Sequence, residues 1–296
     1  MEYFAGIEAG GTKFKCIIAN DPSTIIAEET FQTVVPELTL PRVVEFIKDT
    51  SSNKGIQIKA AGLSCFGPVD LDPHSPTYGN ITTTPKLKWR NYPILNFFKN
   101  NLEVPVAFET DVNGAALGEG KWGAAKGISD FVYITVGTGI GGGVIHNHKP
   151  LFGMTHPEIG HMKIQSHPDD SFPGNCPYHT TCLEGLANAP ALAARWNIDP
   201  ATLPDDHPAW EFEAYYLGQA IHNLILVCSP KRIILGGGVL NRHGLIEKVR
   251  IEAIRILNGY ISTSYLDRID EYIVPPLLGD RAGALGAIAM LTKSSN

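Results

Sequence analysis

A pattern of residues near the start of the chain returns near residue 131, and this repeat constrains the fold more than any other feature of the sequence. In both places, two runs of β-branched and aromatic residues flank a glycine turn, which predicts a β-hairpin. At one offset of 127 positions, the matching pairs are Phe4 and Phe131, Ile7 and Ile134, Gly10 and Gly137, and Ile18 and Ile145. Two glycine-turn hairpins could share such positions by chance, but a repeated unit of this kind indicates two related halves.

Strands and helices are mixed along the rest of the chain, which predicts an α/β architecture. Strands are expected at about 25–30, 56–66, 104–109 and 232–235, and helices at about 41–51, 91–102, from 112, and at 183–196, 209–228 and 243–257. Residues 69–90 lack periodicity, so a long loop is predicted there. At 296 residues the chain is long for one hydrophobic core, so we expect two domains.

Composition and charge exclude several classes of partner. The chain has 44% hydrophobic and 18% charged residues, as ordinary globular proteins do, and a net charge of −6. It has no Lys/Arg run that would follow a nucleic-acid backbone, and no apolar stretch near the roughly 18 residues that cross a membrane. The first residues lack the basic region of a signal peptide. Cys16, Cys65 and Cys228 lie in apolar runs, typical of free thiols in a reducing compartment, so we expect a cytoplasmic protein.

Three glycine-rich turns follow predicted strands, and each could bind a phosphate. Glycine lets backbone N–H groups approach an anion, and a threonine hydroxyl adds a donor. Lys13 could add a point charge to the first turn, or could simply be a solvated lysine. Any one of the turns could also be a tight turn with no ligand. The three turns are Gly10-Gly11-Thr12, Gly137-Thr138-Gly139 and Gly236-Gly237-Gly238.

The second turn also satisfies the G-x-G-x-x-G pattern of dinucleotide-binding folds, from Gly137 to Gly142. That pattern has to open a helix. The residues that follow, Gly143-Val-Ile-His-Asn-His, are typical of a strand. We therefore reject a Rossmann site here, and the chain contains no Walker A loop.

Four potential zinc ligands lie in one short segment. Two thiolates and two neutral imidazoles would give a tetrahedral site of zero net charge, closed to a reacting water and therefore structural. Cys-x-x-His-x-x-Cys is not a standard zinc-finger spacing, and scattered surface residues or free thiols are the alternative interpretation. His156 and His167 could replace the first histidine. The candidate ligands are His161, Cys176, His179 and Cys182.

Two carboxylates flank these ligands. Glu158 lies three residues before His161, and Glu184 lies two residues after Cys182, so a bound metal would fix both. This arrangement suits the binding of a polyhydroxylated small molecule. The alternative is that both are helix-terminal carboxylates.

These motifs together resemble one family. Gly-Ile-Glu-Ala-Gly-Gly-Thr-Lys from Gly6, Gly-Thr-Gly-Ile-Gly-Gly-Gly from Gly137 and the Glu-x-Gly-His/Cys-x-x-His-x-x-Cys-x-Glu cluster are similar to the ROK group (repressors, open reading frames and sugar kinases). The match extends to the Gly279-Asp280-Arg281 segment. It implies a two-domain actin/hexokinase-like ATPase fold, made of duplicated RNase H-like domains with a cleft between them. The expected domains are 1–115 and 116–279, with a last helix at about 280–296 returning to the first domain.

The resemblance also implies a role for each motif. Asp111 falls on the catalytic base, although its place after a strand would also suit a helix N-cap. Glu8 would face, without directly binding, the Mg²⁺ that accompanies ATP. Thr110, Glu158, His161 and Glu184 would bind the sugar. His161, Cys176, His179 and Cys182 would bind zinc. The implied nucleotide-binding residues, joined near the adenosine by the start of the last helix, are Gly10, Gly11, Thr12, Lys13, Gly137, Thr138, Gly139, Pro190, Gly236, Gly237 and Gly238.

At three places the chain departs from the commonest family pattern, and each departure resembles the pattern of the fructokinase branch. Glu8 replaces an aspartate, Thr110 replaces an asparagine, and Cys-Pro-Tyr-His replaces Cys-x-Cys-Gly in the metal segment. The implied activity is ATP-dependent phosphorylation of the 6-hydroxyl of D-fructose by a homodimer, with mannose or glucose as the alternative hexose. A non-catalytic sugar-responsive regulator is the alternative class. Repressor members carry a helix-turn-helix before the first hairpin, which here begins at Gly6.

Overall fold

The computed structural model describes residues 2–292, and these form two compact units. Unit 1 comprises residues 2–127, 149–156 and 278–292, and unit 2 comprises residues 128–148 and 157–277. The sequence places the first boundary after residue 115, but the helix that begins at Asp111 continues to Trp122 within unit 1. The last part of the predicted terminal helix, 293–296, lies outside the described residues.

The helices and strands are numbered here in chain order. The strands are β1 (Tyr3–Ala9), β2 (Lys13–Ala19), β3 (Ile25–Gln32), β4 (Ile58–Cys65), β5 (Val106–Thr110), β6 (Phe131–Val136), β7 (Ile140–His146), β8 (Lys149–Pro150), β9 (Ile233–Gly236) and β10 (Ile273–Val274). The helices are α1 (Pro36–Lys54), α2 (Ile94–Leu102), α3 (Asp111–Trp122), α4 (Leu183–Ala187), α5 (Ala189–Trp196), α6 (Ala209–Cys228), α7 (Leu245–Leu257), α8 (Ile269–Tyr272) and α9 (Ala282–Ala289).

The first sheet has the strand order β3-β2-β1-β4-β5. β1, β2 and β3 are antiparallel neighbours, whereas β4 and β5 run parallel to β1. The carboxyl ends of β1, β4 and β5 therefore meet at one edge of the sheet. Glu8 and Thr110 lie at this edge, so the topology brings the first glycine turn near the start of α3.

In unit 2, the strands follow the order β10-β9-β6-β7. β6 and β7 form an antiparallel hairpin, and β9 runs parallel to β6. β1 has the same two kinds of neighbour, so the repeat predicted from the sequence is confirmed in the strand pairing. The strand that continues to His146 also confirms that no dinucleotide-binding helix follows the second turn.

Each face of the first sheet is covered by helices, because its central strands are apolar on both sides. The residues Ile7, Phe14 and Leu63 pack with α1 and α2, while Phe4 and Ile17 pack with α9. Glycine permits the close approach of α9, since a Cβ on Gly62 of β4 would lie 1.9 Å from the Ala287 carbonyl oxygen. The long loop predicted at 69–90 is confirmed, because these residues form no helix or extended strand. Ile81 and Trp89 within the loop are buried.

The predicted helix at 183–196 is wrong in one respect, because the chain forms two helices there, α4 and α5. Asn188 lies between them in an extended conformation, and its side-chain oxygen accepts a hydrogen bond from Ala191 N at 2.7 Å. Capping of this kind starts a new helix and interrupts the old one. The core of unit 2 lies between its sheet and α4–α7, and includes Ile134, Leu183, Leu217 and Leu235.

No helix in the described range 2–292 combines the length and apolar character that a bilayer crossing requires.

Candidate active site

Asp111 is the first residue of α3, directly after β5. The helix is capped by Thr110, whose buried hydroxyl accepts a hydrogen bond from Asn113 N at 3.1 Å. Asp111 Oδ1 accepts from Val112 N at 2.9 Å. The interpretation of Asp111 as the N-cap is therefore wrong, because the preceding threonine takes that role.

The carboxyl group of Asp111 has an unusual affinity for protons. Burial raises its pKa to about 6, while hydrogen bonds from the backbone N–H groups at the start of α3 act in the opposite direction. A carboxylate of this kind is ionised at neutral pH and close to accepting a proton. This is the property expected of a general base.

The carboxyl group of Glu8, also in unit 1, likewise has a raised pKa. Burial, followed by the negative charge of Asp111, raises the pKa of Glu8 to about 7, against the opposing effect of Lys13 and Lys15. Glu8 also lies against α9, because a Cβ on Gly283 would be 2.3 Å from its Cδ. The two carboxyl groups and two ammonium groups thus form one electrostatic cluster at the edge of the first sheet.

The first glycine turn is anchored through its backbone. Gly10 N donates to the Lys13 carbonyl oxygen at 3.0 Å, and Thr33 N donates to the Thr12 carbonyl oxygen at 3.0 Å. The Thr33 hydroxyl donates to the Gly10 carbonyl oxygen at 2.8 Å. The side chains of Thr12 and Lys13 remain exposed. The turn therefore has a fixed backbone and two exposed polar side chains, which suits contact with an anion.

Lys15 and Asp280 join this cluster, and neither is among the site residues predicted from the sequence. Lys15 is buried, and its ammonium group binds the Asp280 carboxylate at 2.6 Å. Lys15 also lies directly opposite Glu8 in the β1–β2 pairing. The pair fixes the segment that leads into α9 beside the first hairpin.

The second and third glycine turns lie together in unit 2. Gly237 has a φ of 93°, and a Cβ there would lie 2.3 Å from the Val136 carbonyl oxygen, so only glycine fits beside the end of β6. Ala189 N donates to the Gly137 carbonyl oxygen at 2.8 Å. Pro190 follows in the first turn of α5. The structure therefore brings together the nucleotide-binding residues that the sequence predicts for this unit, while Thr138 and Gly139 remain exposed.

The four predicted metal ligands form a cluster in which their ligand atoms all lie within 4.8 Å of one another. Cys176 Sγ lies 3.8 Å from His161 Nδ1 and 3.7 Å from His179 Nδ1. Cys182 Sγ lies 3.6 Å from His161 Nδ1. Bonds of about 2.3 Å to sulfur and about 2.0–2.1 Å to nitrogen, at tetrahedral angles, would separate these atoms by roughly 3.6 Å. The donor set and its spacing therefore fit a tetrahedral metal ion.

The structure also distinguishes among the histidines. His161 lies in the cluster, whereas His167 stacks on Phe212 at 4.6 Å between ring centroids and its Nδ1 accepts from Asp169 N. His156 is buried in unit 1. His161 is thus the histidine that completes the set.

The two flanking carboxylates differ in their surroundings. Glu184 Oε2 accepts from Ile140 N at 2.9 Å, and Glu184 Oε1 lies 4.0 Å from His161 Nε2. Glu158 is exposed, and its carbonyl oxygen accepts from His161 N at 3.0 Å. The cluster therefore fixes the backbone at Glu158 and lies near the side chain of Glu184.

Two sheets that each carry a glycine-turn hairpin, with a perturbed aspartate at a helix start, define a two-domain α/β protein of the hexokinase-like ATPase class. The ROK family pattern matches residues 4–294, and the chain belongs to the ROK family.

Similar proteins extend this result over nearly the whole chain. A putative fructokinase of Bacillus subtilis (strain 168) is 47% identical over 286 residues, covering 96% of this chain and 94% of that protein. A fructokinase of Zymomonas mobilis subsp. mobilis (strain ATCC 31821 / ZM4 / CP4) is 42% identical over 296 residues, covering 98% and 96%. The crystal structure of a ROK family glucokinase from Streptomyces griseus, in complex with glucose and AMPPNP, superposes with a TM-score of 0.73 at 25% identity, covering 98% and 99%.

Proposed function

We propose that the protein is an ATP-dependent fructokinase that transfers the γ-phosphoryl group of ATP to the 6-hydroxyl of D-fructose. The similarity to two proteins named fructokinase, at 47% and 42% identity, supports this substrate. The observation that carries the chemistry is the position of Asp111 at the start of α3, with a pKa raised to about 6. Mannose and glucose are the alternative hexoses.

Asp111 acts as the general base of this reaction. As the 6-oxygen of the sugar forms a bond to the γ-phosphorus, the bond from that phosphorus to the β–γ bridging oxygen breaks, and ADP leaves with the electron pair. The hydroxyl proton passes to the carboxylate of Asp111. Phosphoryl transfer depends mostly on positioning and on neutralising charge, so the remaining residues bind and orient the two substrates.

Each of the first two glycine turns is suited, within its own unit, to binding phosphate. In unit 1, the exposed side chains of Thr12 and Lys13, with the backbone at Gly10 and Gly11, contact phosphate oxygens. In unit 2, the turn at Thr138 and Gly139 does the same. Gly236–Gly238 and Pro190 lie against the adenosine. The fixed backbone of both turns supports this assignment, because an anion site gains affinity when its donors are already oriented.

Mg²⁺ would accompany ATP and neutralise phosphate charge. Glu8 is the candidate carboxylate near this ion, since its carboxyl group lies beside Asp111 and two lysines at the edge of the first sheet. The side chain of Glu8 is one methylene longer than the aspartate of the commonest family pattern, and it would face the ion without binding it directly.

Zinc is the metal that best fits the Cys2His2 cluster, and it would have a structural role. His161, Cys176, His179 and Cys182 would fill all four positions, which leaves none for a reacting water. Glu158, His161 and Glu184, held around the cluster, bind sugar hydroxyls. Thr110 in unit 1 is the further sugar-binding residue that the family resemblance implies. The assembly and location that the family resemblance implies are a homodimer in the cytoplasm.

A coupled assay for ADP release tests the proposed function directly. We expect the purified protein with MgATP to convert D-fructose faster than D-mannose or D-glucose, and the product to carry its phosphate on O6. A preference for another hexose would move the substrate within the same class. Failure to phosphorylate any hexose, with metal content verified, would show that the protein is not a sugar kinase.

A further inference from the structure

Asn188 connects the second glycine turn to the start of α5. Its Nδ2 donates to the Thr138 carbonyl oxygen at 3.1 Å, and its Oδ1 accepts from Ala191 N at 2.7 Å. The residue is only 6% exposed. The next residue, Ala189, donates its N–H to the Gly137 carbonyl oxygen at 2.8 Å. One buried amide and one backbone hydrogen bond therefore hold the carbonyl groups of Gly137 and Thr138.

Two routes lead from the metal ligands to this asparagine. The first is α4, which is capped at its start by the ligand Cys182, whose Sγ accepts from Gly185 N at 3.4 Å, and which ends at Asn188. The second is Asn175, the neighbour of the ligand Cys176, whose Nδ2 donates to Asn188 Oδ1 at 3.2 Å. Both routes are short, and each starts at a thiol of the cluster.

Glu184 provides a parallel connection. Its Oε2 accepts from Ile140 N at 2.9 Å, while its Oε1 lies 4.0 Å from Nε2 of the ligand His161. A Cβ on Gly139 would lie 2.8 Å from Glu184 Oε2, so the carboxylate also packs against the turn. The glycine turn is thus in contact with the metal segment on two sides.

We propose that the metal cluster sets the geometry of the second glycine turn, and thereby the affinity for the nucleotide, with Asn188 as the positioning residue. The inference rests on the proposed role of Thr138 and Gly139 in nucleotide binding. The bound ion would hold Cys176 and Cys182 in place, and these residues hold α4 and Asn175. Loss of the ion then loosens the nucleotide turn as well as the sugar-binding residues.

An asparagine is required at position 188 because it performs two tasks at once. The cap of α5 needs an acceptor for Ala191 N, which an aspartate also provides. The Thr138 carbonyl oxygen needs a donor, which an ionised aspartate lacks. The substitution Asn188→Asp therefore keeps the helix cap and removes the connection to the turn.

Titration calorimetry with MgADP and, separately, with D-fructose tests the proposal. We expect Asn188→Asp to bind MgADP about 10-fold more weakly, the effect of one lost hydrogen bond, with unchanged fructose affinity and zinc content. Removing zinc from the wild type with a chelator should weaken MgADP binding by a similar factor. Chelation should have a smaller further effect in Asn188→Asp, because the connection is already broken.

Asn175→Ala provides a milder variant, since Asn175 is exposed and only one of the two routes is lost. We expect its affinity for MgADP to fall about 3-fold. Asp199→Ala is the matched control in the same unit, because Asp199 caps the short turn at Pro200–Thr202 through Ala201 N and belongs neither to the hairpin nor to the metal segment. Its MgADP affinity should equal that of the wild type.

Equal MgADP affinity in the wild type and Asn188→Asp, or in metal-loaded and metal-free wild type, would overturn this inference alone. So would an equal loss in Asp199→Ala, which would indicate a general effect of stability. A wild type that binds no nucleotide would overturn both this inference and the proposed function. Calorimetry separates these results because it needs no turnover.

Discussion

The two glycine hairpins share one strand pattern, yet different parts of the chain hold their turns. In unit 1, Thr33, which directly follows β3, donates a hydrogen bond to the Gly10 turn, and the Lys15–Asp280 ion pair fixes the start of α9 beside it. In unit 2, the Gly137 turn is held by the start of α5 and by the segment that contains the metal ligands. The turn is therefore held by protein packing in the first unit and by the segment that carries the Cys2His2 cluster in the second.

The largest expected difference between the two units is in catalysis, because we assign the general base, Asp111, to unit 1. Asp111→Asn should lower kcat by about 10²–10⁴ because the base is lost. Its unfolding midpoint should not fall below that of the wild type, since Thr110 and not Asp111 caps α3 and burial already disfavours the ionised Asp111 carboxylate at neutral pH. Steady-state kinetics and thermal unfolding together measure both effects.

Asp169→Asn is the control for this variant, because it removes an exposed carboxylate from unit 2. The wild type should also lose kcat/KM as the pH falls through about 6, where Asp111 becomes protonated. A fully active Asp111→Asn enzyme would end the assignment of the base.

Metal removal should affect unit 2 and spare unit 1. Ligand binding to the native state contributes to folding free energy, so a chelator should lower the unfolding midpoint by at least about 5 °C and weaken sugar binding. Hydrogen exchange should show lost protection in residues 159–188 and unchanged protection in β1–β5.

Cys182→Ser should reproduce the chelator effect, whereas Cys228→Ser should not, because Cys228 lies outside the cluster. Tight fructose binding by fully metal-free protein would contradict the expectation that the metal supports the sugar-binding residues of unit 2.

The packing of α9 can be broken in unit 1 alone. Gly62→Ala places a Cβ 1.9 Å from the Ala287 carbonyl oxygen, so the helix has to shift away from the sheet. We expect a loss of about 1–3 kcal/mol in the free energy of unfolding, measured by denaturant titration. Gly153→Ala is the control, because a Cβ there meets no atom within 4 Å. A stable Gly62→Ala protein would show that the contact with α9 is adaptable.

The smallest effect concerns the pH dependence of stability in unit 1. A carboxyl group whose pKa is higher in the folded state favours folding at low pH and loses this contribution as the pH rises through the folded value. For Glu8 the loss falls between about 4.5 and 7. Glu8→Gln should therefore be more stable than the wild type at pH 8 by about 1–2 kcal/mol, and no more stable at pH 4.

Glu45→Gln, which changes an exposed carboxylate on α1, should show no such difference between the two pH values. If Glu8→Gln is less stable at pH 8, the carboxylate must be favourably paired there. The electrostatic cluster of unit 1 would then need a different description.

Both hairpins could be predicted from the sequence because their signals are local. The glycine turns at Gly10 and Gly137 and the apolar runs beside them specify the strands without reference to the rest of the chain. The helix boundary at Asn188 was missed because the Ala- and Leu-rich run continues on both sides of it, although asparagine favours caps over helix interiors. Its capping role is supported by a contact with Thr138, which lies 50 residues away.

The site was predictable to the level of residue types but not of partners. Spacing alone left His156, His161 and His167 as possible ligands, and only the packing of the segment selects among them. Likewise, Lys15 and Asp280 are 265 positions apart, so neither residue predicts the other. Such pairs depend on where distant elements meet in the folded chain.

The position of α9 has a consequence for biosynthesis. Residues 278–292 complete unit 1, yet a ribosome must translate all of unit 2 before they emerge. Until then, Phe4 and Ile17 lack their contacts with α9 on that face of the sheet. We therefore expect unit 2 to fold during translation before unit 1 is complete. Until α9 emerges, the nascent unit 1 keeps apolar surface exposed and is prone to aggregation.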